Sequence, residues 1–530
     1  MQSAPVTPLS AEGTPTARSS QRRLASAAAV IALGNLLSRG LGLVRDVVIA
    51  STFGATAGTD AFVFARTVPQ ILYDLLVGTV STAAFVPVFV QHARDERQFW
   101  RLVGAIFSLA GLAFVSLAAL LAIFAEPLLA VIGAGISSDA ERSLAVSLMR
   151  IALISVVFQG LAGVLTSALY AQNRFALPAF ATATYNVGII VGVLLLAGVL
   201  GYPALPVGLV IGALAQFLLQ ASGLREFWRA YRPRIDLTDP GVRRILGLAG
   251  TVAAGLVVTA VGQLIDRNLA LRLPVGNLTS MEYATRIIQF PLGIVGLAVS
   301  FAILPTLSRL NTAVEGSLAE YREALVFGIK LVLLLMLPAF TIVAALSQPL
   351  VALVFERNAF QPADTARTAA IFLFYAPGLP LTAVDYLLIN AFYARQNART
   401  PVVVGVVCVF IYLAVALATV GGLQARGLAL ANAVQNSSHA VILLYLLRRS
   451  LPGLRLGAAL APFLVRVVPA AVVVGLLLFG LWPALSPLGG LAGLVAAGLI
   501  ASVVYLGLLL ALGVSEVHAV VSVVRTRIGA

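Results

Sequence analysis

Apolar runs long enough to cross a bilayer as a helix, about 20 residues each, recur along the whole chain. They fall near 24–50, 60–91, 101–124, 144–171, 177–200, 205–225, 245–271, 281–308, 324–346, 368–393, 400–420, 427–447, 460–482 and 489–512. The polar stretches between them are too short to hold an aqueous domain. This pattern predicts an all-α polytopic membrane protein with about 14 transmembrane helices. Cationic residues set its orientation. With the N-terminus inside, the cytoplasmic side collects Arg22, Arg23, Arg94, Arg97, Arg174, the group Arg225 to Arg244, Arg322, Arg395, Arg399, Arg448 and Arg449. The opposite side keeps only Arg142, Arg272, Arg357, Arg367 and Arg426. That asymmetry predicts a multi-pass protein with both termini in the cytoplasm. Residues 1–22, rich in Ser, Thr, Ala and Pro, read as a disordered cytoplasmic tail, and 514–530 as a second tail.

Composition narrows the function classes. Of the 530 residues, 60% are hydrophobic and 11% charged, against about 25% charged in soluble proteins. A soluble enzyme, a disordered chain and a coiled coil are excluded. The net charge of +14 is dispersed among the loops, so no nucleic-acid partner is expected. Lys330 is the only lysine and does not belong to a nucleotide-binding GxxxxGK[ST] loop. Cys408 stands alone, and His92, His439 and His518 are far apart. No disulfide framework, metal centre or cofactor is expected.

The chain also repeats itself. Tyr170-Ala-Gln-Asn-Arg-Phe-Ala-Leu-Pro178 resembles Tyr393-Ala-Arg-Gln-Asn-Ala-Arg-Thr-Pro401 at an offset of 223, and Asp46 and Arg66 correspond to Asp266 and Arg286 at an offset of 220. Phe85-Val-Pro87 is echoed by Leu304-Pro305. Six helices separate the copies, so the repeats should run parallel. The expected organisation is an N-lobe at 23–235, a C-lobe at 236–450 and two further helices at 451–513, with a central cavity between the lobes.

Charges inside spans mark that cavity. Each costs about 2.5–3.5 kcal/mol at the bilayer centre, yet span 1 carries Arg39, Arg45 and Asp46, and span 2 carries Asp60, Arg66 and Asp74. Spans 7 and 8 add Asp266, Arg267, Glu282 and Arg286. Arg39, Gly42 and Asp46 share one helical face, whereas Arg45 points roughly 120° from Arg39. Both arginines therefore meet a cavity only if span 1 lies at its edge or bends. The acids read equally well as internal ion-pair partners; Arg39 and Arg286 have no acid next to them in sequence and read as ligand groups. The pairs Gly188/Gly192 and Gly208/Gly212 read as close helix packing, and Tyr185 and Asn186 as polar cavity candidates.

Ser38-Arg-Gly-Leu-Gly-Leu-Val-Arg45-Asp46, Phe53-Gly54, Thr59-Asp-Ala-Phe62 and Phe85-Val-Pro87 resemble the opening of the MurJ (MviN) lipid II flippases. Tyr283-Ala-Thr-Arg286 with Gln289-Phe-Pro-Leu-Gly293, then Phe355-Glu-Arg-Asn-Ala-Phe360 and 392–401, are similar to later family stretches. The resemblance implies a fourteen-helix member of the multidrug/oligosaccharidyl-lipid/polysaccharide exporter superfamily in a bacterial plasma membrane. Its substrate would be a polyprenyl-pyrophosphate glycolipid, its other partners the bilayer and cell-wall synthesis proteins. The implied substrate site includes Arg39, Arg45 and Arg286; the other charges of spans 1 and 2, Asp46, Asp60 and Arg66, are candidates to join it. Asp266 is a candidate for ion coupling, and helices 13–14 for a lipid-tail groove. The sequence departs from the family at Tyr73-Asp74, at Gly78-Thr79, at Thr285 where an acid is common, and in 400–420, which lacks the Asn and Asp used by sodium-binding members.

Four readings remain at this stage: a flippase for lipid II, a flippase for another polyprenyl-linked glycan, a cation-coupled drug exporter, and a membrane glycosyltransferase or scaffold. An anionic pyrophosphate needs cations such as the fork of arginine. A drug exporter would use the acids Asp46, Asp60 and Asp266. A glycosyltransferase would need paired acids on a large outer loop, where only Glu126, Asp139 and Glu141 cluster.

Overall fold

The computed structural model describes residues 15–78, 80–136, 138–296 and 317–517, together with 299, 303, 307 and 309. Thr79, Leu304-Pro305, His518 and the greater part of both expected tails lie outside the described residues. The long helices, in chain order, are α1 (Pro15–Phe53), α2 (Ala57–His92), α3 (Glu96–Ile123), α4 (Asp139–Ala171), α5 (Ala176–Leu200), α6 (Ala204–Ser222) and α7 (Pro240–Leu271). They continue with α8 (Asn277–Pro291, extended to Gly296), α9 (Ser317–Phe355), α10 (Pro362–Ala394), α11 (Arg399–Leu423), α12 (Ala425–Ser450), α13 (Leu456–Leu488) and α14 (Gly490–Ala511). Among the described residues, 11 helices are long and apolar enough to cross a membrane; α1, α8 and α12 are not among them. The protein is an all-α, multi-pass membrane protein. No strand occurs among the described residues.

Local chemistry accounts for the helix ends. Asp95 caps α3 by accepting from the amides of Arg97 and Gln98 at 3.0 and 3.1 Å, and Asp239 caps α7 just ahead of Pro240. α1 starts at Pro15, inside the stretch expected to be a disordered tail, because a proline-led run of Ala, Ser, Gln and Arg favours helix. Two short helices, Ala125–Ile132 and Arg225–Ala230, sit in connections that the apolar pattern left as loops. Outward faces are apolar: on α13 and α14, Phe479 and Val503 are each more than 70% exposed, as lipid contact requires.

Packing brings sequence neighbours together. α1 lies on α5, α5 on α6, and α2, α3 and α6 on α4. Later in the chain α11 lies on α12, α8 and α12 on α10, and α9 on α10, α13 and α14. α5 and α6 cross at their glycines: a Cβ on Gly192 would lie 2.6 Å from the Gly208 Cα, and one on Gly188 would strike the Gly212 backbone. Only hydrogen fits there.

The sequence repeat recurs in the backbone. The amides of Asn173 and Arg174 reach back to the carbonyls of Tyr170 and Leu169 at 3.0 and 2.8 Å; those of Gln396 and Asn397 reach Tyr393 and Phe392 at 2.9 and 3.0 Å. Asn173 and Gln396 are both left-handed, with φ of 59° and 56°. Gly201 (φ 63°, ψ −137°) ends α5, and 223 residues later Gln424 (φ 53°, ψ −132°) ends α11. Glycine tolerates that conformation and glutamine is strained in it by about 1–3 kcal/mol. Gln424→Gly should therefore raise stability by about 1 kcal/mol, read as a higher thermal unfolding midpoint in detergent. An unchanged or lower midpoint would show that no strain resides at this turn. π-helical segments also recur, at Asp74–Gly78 in α2 and Leu292–Gly296 after α8.

Candidate functional site

The charges of α1, α2, α7 and α8 converge on one network. Arg45 directs its Nε and Nη2 to the same oxygen of Asp46, Oδ1, at 2.9 and 2.7 Å, and its Nη1 to Asn186 Oδ1 on α5 at 2.9 Å. Asn186 in turn donates to the Ser38 carbonyl at 3.1 Å, tying α5 to α1. This leaves Asp46 Oδ2 for Arg286 of α8, whose Nε lies 3.2 Å away. Both atoms are buried and form no directed hydrogen bond, so the contact is ionic and leaves an N–H to offer.

Glu282 is the second hub. Its Oε1 pairs with Arg66 at 2.7 Å and Arg286 at 2.8 Å, and its Oε2 with Arg267 at 2.8 Å. Arg39 stands at the mouth, exposed, with Nη1 donating to the Gln289 carbonyl at 3.3 Å. The five guanidinium groups of Arg39, Arg45, Arg66, Arg267 and Arg286 share the carboxylates of Asp46 and Glu282, with Asp266 beside Arg267, so cations outnumber carboxylates five to three. A cavity of about 330 Å³ opens onto this network, lined by Arg39, Gly42, Arg45, Asp46, Tyr185, Asn186, Arg286 and Gln289.

The sequence-predicted residues thus separate into groups. Arg39, Arg45, Asp46 and Arg286 share the cavity, on elements 240 residues apart. Arg66 is joined to it only through Glu282, with its guanidinium 5.7 Å from the Phe62 ring. Asp60 is not brought to the cavity: its carboxylate accepts from the amides of Gly276 and Thr279 at 2.6 and 2.8 Å and from the Thr279 hydroxyl at 2.6 Å. It caps α8 from α2. Asp266 has no salt bridge within 4 Å among the described residues, although the Arg267 charge lies nearby; it accepts from Tyr412 and lines a second cavity of about 1040 Å³ with Arg267, Tyr375, Asp385 and His439. Arg286, read from sequence as lacking an acid partner, has two, because Glu282 lies one helical turn away and Asp46 reaches it from α1. The sequence reading missed Glu282 as the organising group, although its i, i+4 spacing to Arg286 was the available signal.

Losing the Asp60 cap leaves two buried amides and a hydroxyl without their acceptor. Asp60→Ala should destabilise the protein by roughly 1–3 kcal/mol, and Asp60→Asn by less because an acceptor remains. Thermal midpoints in detergent check the order; equal midpoints for wild type and both variants would remove the capping role.

Comparison with known proteins decides the family. The sequence pattern described as lipid II flippase MurJ matches residues 49–489. The chain belongs to the lipid II flippase MurJ family. It is 30% identical over 517 residues to the probable lipid II flippase MurJ of Haemophilus influenzae, covering 91% of this chain and 99% of that one. It is 30% identical over 382 residues to the lipid II flippase MurJ of Burkholderia cenocepacia, covering 70% and 73%. The fold matches a solved structure of lipid II flippase MurJ in an inward closed conformation with a TM-score of 0.76, at 22% identity, over 90% of this chain and 97% of that one. It also matches an inward-facing multidrug resistance MATE family transporter of the MOP superfamily, with a TM-score of 0.65 at 14% identity, over 78% and 94%. MurJ-family membership makes the chain a transporter rather than an enzyme. The network from Arg39 to Arg267 is this MurJ-family member's candidate binding site.

Proposed function

We propose that this chain carries lipid II, a polyprenyl-pyrophosphate-linked peptidoglycan precursor, from the inner to the outer leaflet of the plasma membrane. One observation supports it most: three guanidinium groups, from α1 and α8, line a cavity whose lining holds a single carboxylate, that of Asp46. Arg39, Arg45 and Arg286 would neutralise the pyrophosphate through paired N–H donors, while the polyprenyl tail stays in lipid along helices α13 and α14. An inside-negative potential favours anion export by about 2.3 kcal/mol per charge per 100 mV, so the step needs no nucleotide.

On this reading residues 23–235 and 236–450 act as two lobes that rock about the cavity, and both termini are cytoplasmic, as the arginine distribution favours. Asp266, which accepts from the Tyr412 hydroxyl and lines the larger cavity, is the group for ion coupling. Enzymes that polymerise the exported precursor are the expected partners. The drug-exporter reading is disfavoured because each acid it would use is engaged: Asp46 with two arginines, Asp60 as a cap, Asp266 with Tyr412. Complementation of a conditional flippase mutant, with mass spectrometry of co-purified lipids, tests the proposal. Rescue with lipid II bound supports it; rescue failure together with a different polyprenyl glycan on the purified protein would overturn it.

A further inference from the structure

A second basic site lies outside the cavity, where the start of α3 meets the segment leading into α7. Arg97 and Arg101, one turn apart on α3, and Arg232 and Arg234 on the linker surround a pocket of about 440 Å³, with Glu96 and Trp100 in its wall. That volume is within the range of about 300–1,000 Å³ that holds small ligands.

The linker is pinned rather than loose. The Tyr231 ring stands edge-on to Phe107 at 5.4 Å and packs on Phe227 at 5.1 Å, and its hydroxyl lies 3.0 Å from Ser108 Oγ. The Arg234 amide donates to the same Ser108 oxygen at 3.2 Å. Trp100 packs on Phe227 from the other side at 5.9 Å. An aromatic base therefore holds Arg232 and Arg234 beside Arg97 and Arg101.

Internal acids do not neutralise this group. Arg234 pairs with Asp236 at 2.5 Å, and Glu96 accepts from the Trp100 indole at 3.4 Å. Arg97, Arg101 and Arg232 have no ion-pair partner among the described residues. Like charges fixed side by side repel, and a bound anion relieves that repulsion. A separate observation indicates where the anion comes from. Ile235 and Leu237, on the same linker, are 58% and 52% exposed, and Trp228 is 39% exposed. Apolar and indole side chains beside guanidinium groups match the boundary between headgroups and acyl chains.

We propose that this pocket binds the phosphodiester headgroup of an anionic phospholipid, whose acyl chains run past Ile235 and Leu237. The lipid would anchor the connection between α6 and α7. Native mass spectrometry of the full chain in detergent tests this, with dioleoyl phosphatidylglycerol, dioleoyl phosphatidylcholine and inorganic phosphate as titrants. Wild type should retain phosphatidylglycerol over phosphatidylcholine. Arg101→Gln/Arg232→Gln should weaken the phosphatidylglycerol adduct about 30-fold without moving the thermal midpoint, while Arg448→Gln/Arg449→Gln at the end of α12 should leave it unchanged. Equal adducts on wild type and Arg101→Gln/Arg232→Gln would overturn the site. Displacement of the lipid by millimolar inorganic phosphate would overturn the lipid assignment in favour of a soluble phosphate.

Discussion

Glu282→Ala should destabilise the protein by about 3–5 kcal/mol, the loss expected when a buried charge network is deprived of one partner. Glu282 is the carboxylate that separates Arg66, Arg267 and Arg286, each within 2.8 Å of it. Its side chain is only 10% exposed, so water does not take over its role. Without it, three guanidinium groups face one another where like-charge repulsion is weakly screened. The expected result is a folded yield well below wild type by fluorescence-detected size exclusion, and a lowered midpoint in whatever folds. Glu282→Gln keeps the shape and one acceptor and should fall between the two. Pairing Glu282→Gln with Arg66→Gln removes one opposing charge and should recover part of the loss. An unchanged midpoint in Glu282→Ala would show that the network does not hold α8 to α2 and α7.

Arg39→Ala should abolish transport while leaving stability near wild type. Among the described residues Arg39 forms no ion pair and contributes one hydrogen bond to a carbonyl, so its removal strands no buried charge. A charge-assisted hydrogen bond to phosphate is worth about 1.5–3 kcal/mol, which corresponds to pyrophosphate binding on the order of 10- to 100-fold weaker. Arg286→Ala should lose transport as well, with a modest fall in midpoint, because Asp46 keeps Arg45 and Glu282 keeps Arg66 and Arg267. Arg39→Lys retains charge without the planar fork and should restore transport in part. Externally accessible lipid II in cells depleted of other flippases is the readout. Full transport by Arg39→Ala and Arg286→Ala would remove both residues from the substrate site.

The contrast between these variants shows what the sequence made legible. Apolar periodicity located the membrane helices, and the recurrence of Tyr170–Pro178 in Tyr393–Pro401 anticipated two turns with the same hydrogen bonds and the same left-handed residue. The charges of both signs in spans 1, 2, 7 and 8 pointed to a cavity, because intramembrane charge is costly enough to require a reason, and Arg39, Arg45, Asp46 and Arg286 among them line one. Partner choice was not legible. Whether Asp60 binds a ligand or caps α8 depends on a contact with Gly276, 216 residues away. Asp266 aligns with Asp46 in the repeat, yet one is held by two arginines and the other by Tyr412. Arg45 diverges from Arg39 by helical angle, so the two were expected to share a cavity only at its edge or at a bend in span 1, and both line it.

The central claim is that an aqueous, positively charged cavity between α1, α5 and α8 receives a pyrophosphate lipid. Gly42 lines that cavity, with a single atom, Asn186 Nδ2, within 4 Å of where a Cβ would stand, at 3.7 Å. The natural Cys408 is buried but lines the second cavity, so Gly42→Cys in a Cys408→Ala background supplies a specific reporter. A membrane-impermeant, water-soluble thiol reagent should label that position in purified protein, and a polyprenyl pyrophosphate should protect it, whereas a polyprenol without phosphate should not. Absence of labelling, or labelling that the pyrophosphate lipid leaves unchanged, would contradict the account.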